Sequence, residues 1–412
     1  MLLGLFSMAM LWSALGAIGG VVDWSTINNN IIQGGPEGFG PTAVNIMFGS
    51  WFGRILIETG IARTIIRKAV ELGGDKPTLT CVLLCIIVAG IFTTAYGAGA
   101  VVAIGVIVFP IMLSLGISKP LATGSFCMAV SAGLYFNSSL LSQAAGTMLV
   151  NEAKYEFANS TWYTFAAFAL ALQLLFTIAL VIIQIRKENK VQAWEAEEVD
   201  LSPEQKNVNF LACITPLLPV IFAVAFKLSS IAAMVVSVIW ALAWTGNSKR
   251  WNQIGKIVEK TFHDGTADVG LVLAFLLFMQ MFAKAAGSCK ALLAPIVTPI
   301  LPSNIFLLFL VFGLLGILAL FRGPMTIWGA GTATFAIVAG TGLYPLSILY
   351  PLFYIPCVAI NTSICPTQSW VSWAIGYNKV SIKDFLKRVL PYALLLTFVL
   401  EVIAYFIFGT AL

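Results

Sequence analysis

Apolar residues in this chain gather into long unbroken runs separated by short polar stretches. The runs fall at 2–22, 41–59, 77–116, 120–150, 160–186, 208–226, 229–245, 265–286, 304–341, 343–375 and 386–410. A helix needs about 20 apolar residues to cross the hydrocarbon core of a bilayer, so most runs predict one span each. The runs 77–116 and 304–341 are about twice that length, and each has a Gly-rich break at its middle. We read both as re-entrant helical hairpins that dip to the midplane. Two straight spans in each run would leave no loop and would put Gly-Ala-Gly outside the membrane. The runs 120–150 and 343–375 carry small polar residues at their centres and predict broken helices.

Composition sharpens the class. Apolar residues make up 59% of the 412 positions and charged residues 10%, with a mean hydropathy of +0.94. An ordinary soluble domain carries about 25% charged residues. The pattern therefore excludes most soluble enzymes, nucleic-acid binders and disordered chains, and predicts an all-α polytopic membrane protein. The seven cysteines lie mostly inside apolar runs and form no Cys-x-x-Cys pair, so we read them as small buried hydrophobes. They and the single histidine, His263, offer no zinc site. Residues 1–20 have no basic n-region and no clear cleavage site, which reads as a retained helix. No cofactor is expected.

The polar loop 187–207, with Glu195, Glu197, Glu198 and Asp200, divides the chain into a first unit, 1–186, and a second, 208–412. Matching landmarks recur in both. Tyr96-Gly97-Ala98-Gly99-Ala100 is echoed by Trp328-Gly329-Ala330-Gly331-Thr332. Asn137-Ser138-Ser139, then Ser142-Gln143, is echoed by Asn361-Thr362-Ser363, then Thr367-Gln368. Glu58-Thr59-Gly60-Ile61-Ala62 is echoed by Ala285-Ala286-Gly287-Ser288. Three landmarks in the same order at similar offsets indicate an internal duplication. With the double runs taken as hairpins, eighteen Lys and Arg fall on one side, including Lys190, Lys206, Lys249 and Arg250 in the polar loops. Only Lys154, Lys227, Lys284 and Lys290 fall opposite, and Arg322 is left in the membrane. That bias marks a cytoplasmic face, expected at an inner membrane, and puts the N-terminus on it. The run 41–59 then crosses inward and 265–286 outward, so the repeats are inverted. The first unit has one span fewer before its short arm than the second.

A helix broken at the midplane frees backbone groups, which persists where the break lines a cavity. Asn137, Ser138, Ser139, Asn361, Thr362, Ser363 and Thr367 supply small polar oxygens there, suited to substrate hydroxyls or a cation. Pro356 and Pro366 help interrupt the second helix. The plainer alternative is that such residues only glue helices together. Arg322 lies at the centre of a long apolar run, where its planar fork suits a carboxylate. Its alternative is a structural pair with a distant acid, Glu58 or Glu401. The N–H groups around Gly97, Gly99, Gly329 and Gly331 could share the anion. Glu58, Asp268 and Glu401 are the candidates for proton coupling. Arg63, Arg67, Lys68 and Glu71 form the polar stripe of an interfacial arm. Asn159-Ser160-Thr161 matches a glycosylation sequon, a pattern common by chance.

Two patches carry a family likeness. Gly53-Arg54-Ile55-Leu56-Ile57-Glu58-Thr59-Gly60 is similar to the Gly-Lys-Ile-Leu-Glu-x-x-Gly stretch of the gluconate:proton symporter (GntP-like) permeases. Ser369-Trp370, Trp373, and Tyr377-Asn378-Lys379-Val380-Ser381-Ile382-Lys383-Asp384 resemble the closing segment of that family, within the ion transporter superfamily. The resemblance implies a scaffold and a moving domain, an elevator-type carrier, and a homodimer. In sodium-coupled relatives Ser-Asn-Thr-like motifs hold sodium and substrate at hairpin tips, whereas here the triplets fall in the broken helices.

The reading is a secondary transporter that moves a small organic anion, such as gluconate or another carboxylate, by alternating access, coupled to H+ or Na+. A sodium/proton antiporter on a related scaffold is the second reading, and a passive channel the third. No His cluster, paired-acid motif or Gly-x-Ser-x-Gly supports an enzyme, and nucleic acid is not an expected partner.

Overall fold

Away from water a backbone must satisfy its own polar groups, which leaves an apolar chain of this kind little choice but helix. The computed structural model describes residues 2–74, 76–150, 153–188, 208–245 and 251–409, and these contain no strand, only one isolated bridge between Val150 and Ala153. The first unit begins with α1 (Leu2–Ile18), a π-helical turn (Thr26–Gln33), α2 (Gly34–Gly38), α3 (Gly40–Glu58) and α4 (Ile61–Gly73). It continues through α5 (Pro77–Phe92), α6 (Ala98–Ser114), α7 (Lys119–Gly133), α8 (Ser138–Thr147) and α9 (Ser160–Glu188). The second unit begins with α10 (Phe210–Cys213), α11 (Leu218–Phe226), α12 (Ser230–Trp244), α13 (Trp251–Ser288) and α14 (Lys290–Val297). It continues through α15 (Ile305–Leu314), α16 (Gly331–Gly340), α17 (Leu346–Pro356), α18 (Ser369–Tyr377) and α19 (Ile382–Ala404).

From α3 and from α13 onward the two units run in the same order. A long helix leads to a short arm, a helix pair, a broken helix and a closing long helix. The arm α4 buries Ile61, Ala62, Ile66 and Ala69 and leaves Arg63 and Lys68 exposed, the division an interfacial helix needs. The second arm turns sharply into the following helix, Lys290–Ile300 meeting Ile305–Leu314 at 94°. Among the described residues three helices are long and apolar enough to cross a bilayer alone: Ser160–Glu188, Gln253–Ser288 and Ile382–Gly409. The chain is an all-α, multi-pass membrane protein.

Packing sorts the helices into two groups. One gathers α1, α2, α3, α12 and α13, with α3 crossing α13 where Gly265 lies against the backbone of Trp51. The other gathers α5, α7, α9, α15, α17 and α19. The second helix of each pair, α6 and α16, and the half-helix α8 lie where the groups meet.

Several elements depart from the run boundaries. Residues 23–39 lie between apolar runs, yet they form the π-helical turn and α2, which pack on α13 and bury Ile31 and Phe39. The expected span 265–286 is the C-terminal part of a helix that starts at 251. Its first turns are amphipathic, with Ile254, Ile257, Val258 and Phe262 packed inward at helical spacing. A search for unbroken apolar runs passes over such a pattern. The run 208–226 is interrupted at Pro216 and Pro219 into α10, a 3-10 turn and α11. All seven cysteines are unpaired, and six of them are buried. The acidic loop from 189 to 207, with Lys190 and Lys206, and residues Lys249 and Arg250 lie outside the described residues.

Candidate functional site

The break between α5 and α6 spans 93–97, and Gly97 closes it with φ of 102°, a backbone conformation that a side chain would strain. Asn137 caps α8, its Oδ1 accepting from the N–H groups of Ser139 and Leu140 at 3.1 Å. Its Nδ2 donates to the carbonyls of Phe92 at 3.1 Å and Ala95 at 2.9 Å, so one side chain ties the first broken helix to the first tip. The Tyr96 hydroxyl donates to Gln143 Oε1 at 2.5 Å across the same junction. Ser139 Oγ donates to the Asn45 carbonyl on α3.

The second tip is built differently. After α15 a 3-10 stretch (Gly316–Arg322) ends with Phe321 and Arg322 both in the left-handed region, φ 51° and 58°. Such residues cost about 1–3 kcal/mol each and persist only where their surroundings hold them. The holding bonds are visible. The Ala330 N–H donates to the Arg322 carbonyl at 2.9 Å, Gly331 to Gly323 at 3.1 Å, and Gly329 to Thr326 at 2.9 Å. Sulfur contributes as well, because the N–H groups of Phe321 and Ile327 point at Cys365 Sγ and Cys357 Sγ. The second broken helix widens at Pro356 into a π-helix (Cys357–Thr362) and breaks around Pro366 before α18. Thr362 Oγ1 lies 3.0 Å from Ser131 Oγ on α7, and Trp370 Nε1 donates to the Thr362 carbonyl.

Both tips and both breaks meet at one small cavity of about 90 Å³. Its walls are Tyr96 and Gly97 from the first tip, Gln143 from α8, Arg322 and Trp328 from the second tip, and Thr362, Gln368, Ser369 and Trp370 from the second break. Val269, Val272 and Phe275 of α13 close the remaining side. The Arg322 guanidinium donates to the Trp328 carbonyl at 2.8 Å. It also lies 3.3 Å from Gln368 Oε1, 3.4 Å from the Thr367 carbonyl and 4.9 Å from the centre of the Phe275 ring. Every one of these partners is neutral. A second cavity of about 590 Å³, lined by Thr147, Gln280, Lys284, Ser288, Lys290 and Thr332, lies farther along α13. Gln280 Nε2 donates to Thr147 Oγ1 at its edge.

A family model described as citrate transporter, CitMHS, matches residues 1–259, more than half of the chain. The chain belongs to the CitMHS citrate transporter family. A solved structure with the same fold is that of the YdaH transporter of Alcanivorax borkumensis. It is 16% identical, the match covers 100% of this chain and 98% of that one, and the TM-score is 0.61. No curated protein matched. These matches support a transporter of the citrate family, a carrier rather than an enzyme, and they lend nothing to the narrower likeness to gluconate permeases.

In this CitMHS chain the cavity gathers Gly97, Arg322 and Thr362 from the residues singled out by sequence. Thr367 reaches Arg322 through its carbonyl alone. Asn137 has all its hydrogen-bonding capacity inside the first junction, and Ser138 faces a separate cavity of about 320 Å³ with Thr93, Thr94 and Ser142. Gly99 packs against the carboxylate of Asp268. The N–H groups of Gly329 and Gly331 are spent within the tip, since a turn this tight must satisfy its own donors. Ser363 Oγ donates to Val358 and accepts from Gln173. Asn361 is fully buried with neither amide atom paired.

The acids also separate. Arg54 grips Asp268 with two hydrogen bonds of 2.6 Å, joining α3 to α13, and Lys260 pairs with Glu58 at 2.7 Å. Neither acid is the partner of Arg322, and Glu401, fully buried, has no hydrogen-bond partner at all. The residues that sequence reasoning passed over are Tyr96, Gln143, Trp328, Gln368 and Trp370. Their signal was present: an aromatic precedes each Gly-Ala-Gly tip, and a Gln follows each polar triplet at a matching place.

Proposed function

We propose that this chain is a secondary active carrier of a small organic anion, with citrate or a related polycarboxylate ahead of gluconate, bound between the two tips with Arg322 as its anchor. The observation that carries this is a half-buried guanidinium with neutral partners only, at the meeting point of both tips and both breaks. A midplane arginine is costly, and a substrate carboxylate supplies the missing counter-charge in the bidentate geometry the fork favours. Gln143, Gln368 and Ser369 then offer neutral donors to the remaining oxygens, and the tryptophans and Phe275 exclude water.

A cavity of about 90 Å³ holds a few waters but not a polycarboxylate, since ligand pockets commonly run to about 300–1,000 Å³. The cavity in this conformation is too small for the substrate, and in this reading loading requires the tips to part from α13. That is the movement of an elevator, in which the group containing α15, α17 and α19 slides along α3 and α13. In this reading the two units are inverted repeats, the basic face is cytoplasmic at the inner membrane, and the carrier works as a homodimer. H+ or Na+ co-binding offsets the charge of the anion.

The test is uptake of labelled citrate and gluconate into proteoliposomes, with a proton gradient and a sodium gradient imposed separately. Saturable, gradient-driven citrate uptake with counterflow is expected, and counterflow excludes a channel. No uptake of any carboxylate in a panel under either gradient would overturn the reading.

A further inference from the structure

The closing helix of each unit buries a pair of polar side chains, Gln173 and Thr177 on α9 and Thr397 and Glu401 on α19, of which Gln173 and Glu401 are the longer. These two lie 228 positions apart, near the 224 between Asn137 and Asn361, an offset that pairs Gln173 with Thr397 and Thr177 with Glu401. Their surroundings differ. The Gln173 amide donates to the Met128 carbonyl at 3.0 Å and to Ser363 Oγ at 2.9 Å, stapling the two broken helices together. Glu401 is fully buried too, yet both its carboxyl oxygens lack a partner. Gly313 of α15 leaves room for its Cβ, and its helix α19 packs on α7, α9, α15, α17 and the π-helix.

Of the titratable groups on these elements, Tyr135 at the end of α7 and Cys357 on the π-helix interact electrostatically with Glu401. The Tyr135 hydroxyl is itself buried and unpaired. Arg322, on the hairpin beside it, is committed to Trp328, Thr367 and Gln368, and among the described residues no basic side chain pairs with Glu401. An ionised carboxylate in such a place is uncompensated, so the group carries a proton here. Were the position merely structural, an apolar side chain would fill it at lower cost.

We propose that Glu401 is a proton-binding site of the carrier, separate from the anion pocket at Arg322. It holds its proton in the closed conformation. When opening to one side brings water to the carboxyl, the O–H bond breaks and water takes the proton as hydronium; when the site opens to the other side, hydronium there returns a proton and the O–H bond re-forms before closure. A proton is thereby exchanged in each cycle. This inference rests on the carrier reading above.

The experiment compares wild type with Glu401→Gln, which keeps the shape and imitates Gln173. In proteoliposomes, exchange of external for internal labelled citrate needs no driving force and should survive. Accumulation driven by a pH gradient should fall by about tenfold or more, the size of an ordinary coupling free energy. The infrared band of a neutral carboxylic acid, present in purified wild type at neutral pH, should be missing from E401Q. Unchanged pH-driven accumulation overturns the proposal, as does identical carboxylic-acid absorption in the two proteins. Loss of exchange in an E401Q that keeps its gel-filtration profile also overturns it, because the group would then serve binding. Should E401Q not fold, the band in wild type decides: it must shift on adding citrate, and an unmoved band refutes the site. A wild type that exchanges no carboxylate would sink the carrier reading itself, and the proton site with it.

Discussion

Arg322 separates an anion anchor from a strut. Replacing it with Gln removes one hydrogen bond of good length, 2.8 Å to the Trp328 carbonyl, and two at the weak limit, 3.3 and 3.4 Å. A hydrogen bond from a charged donor contributes about 1.5–3 kcal/mol, nearly all of it here from the first. In the carrier reading Arg322 sits near the membrane centre, where keeping a guanidinium costs about 2.5–3.5 kcal/mol, which the substitution recovers. The two nearly cancel, so unfolding free energy should change by no more than about 1 kcal/mol. Binding should change far more. Removing one partner of a buried, hydrogen-bonded charge pair costs about 2–5 kcal/mol, or about thirtyfold to several thousandfold in Kd. Arg322→Lys keeps the charge without the fork and should fall between wild type and Gln. The assay is equilibrium binding of labelled citrate to purified protein, with thermal unfolding of the same samples. Binding by Arg322→Gln within about threefold of wild type would refute the anchor. A large loss of stability with unchanged affinity would make Arg322 a strut.

Two further substitutions probe the walls of the site. In Gly99→Ala the new methyl would fall 2.0 Å from Asp268 Oδ2, so either the tip withdraws or the Arg54 pair opens. Overpacking of this kind costs about 1–3 kcal/mol, and since Gly99 does not line the cavity, turnover should drop while citrate Kd holds. Equal losses in both would refute that division. Tyr96→Phe leaves Gln143 Oε1 without its buried donor, at a cost of about 1–3 kcal/mol. A thermal unfolding scan with citrate titration should find a less stable apo protein. It should also find a larger stabilisation by citrate if the freed Gln143 turns to the ligand.

The architecture was legible because lipid enforces it. Runs of apolar sequence, a Gly-rich centre in each double run and a polar triplet in each broken helix are visible without coordinates, and α5–α6, α7–α8, α15–α16 and α17–α18 lie where those signals put them. Legibility failed where the deciding pattern was not hydropathy. The first turns of α13 are amphipathic, and the π-helical turn at Thr26–Gln33 buries only Ile31. Within the site, residue type pointed to the right segments and then to the wrong atoms. Asn137 looks like a ligand by composition, but a cap must use its side chain on the helix it starts. Gly329 and Gly331 look like free donors, but the turn they make uses those donors up. What composition undervalued were Gln143 and Gln368, which are long enough to reach past the helix ends into the cavity.

In the proposed reading, comparison of the two junctions locates the polar demand of a ligand. At the first junction the Asn137 side chain makes four hydrogen bonds and Tyr96 finds Gln143. At the second junction the corresponding Asn361 makes none, Arg322 lacks an anionic partner, and its backbone sits in the left-handed region beside a similarly placed Phe321. In the closing helices the Gln173 amide donates two hydrogen bonds, while both carboxyl oxygens of Glu401 are unpaired. Sequence relatedness would allow both junctions to be satisfied alike, since the polar residue types are nearly the same. In the proposed carrier the first half is therefore the braced wall of the site. The second half holds the strained backbone, the unmatched charge and the unpaired amide, the features that a bound anion and its co-ion can relieve.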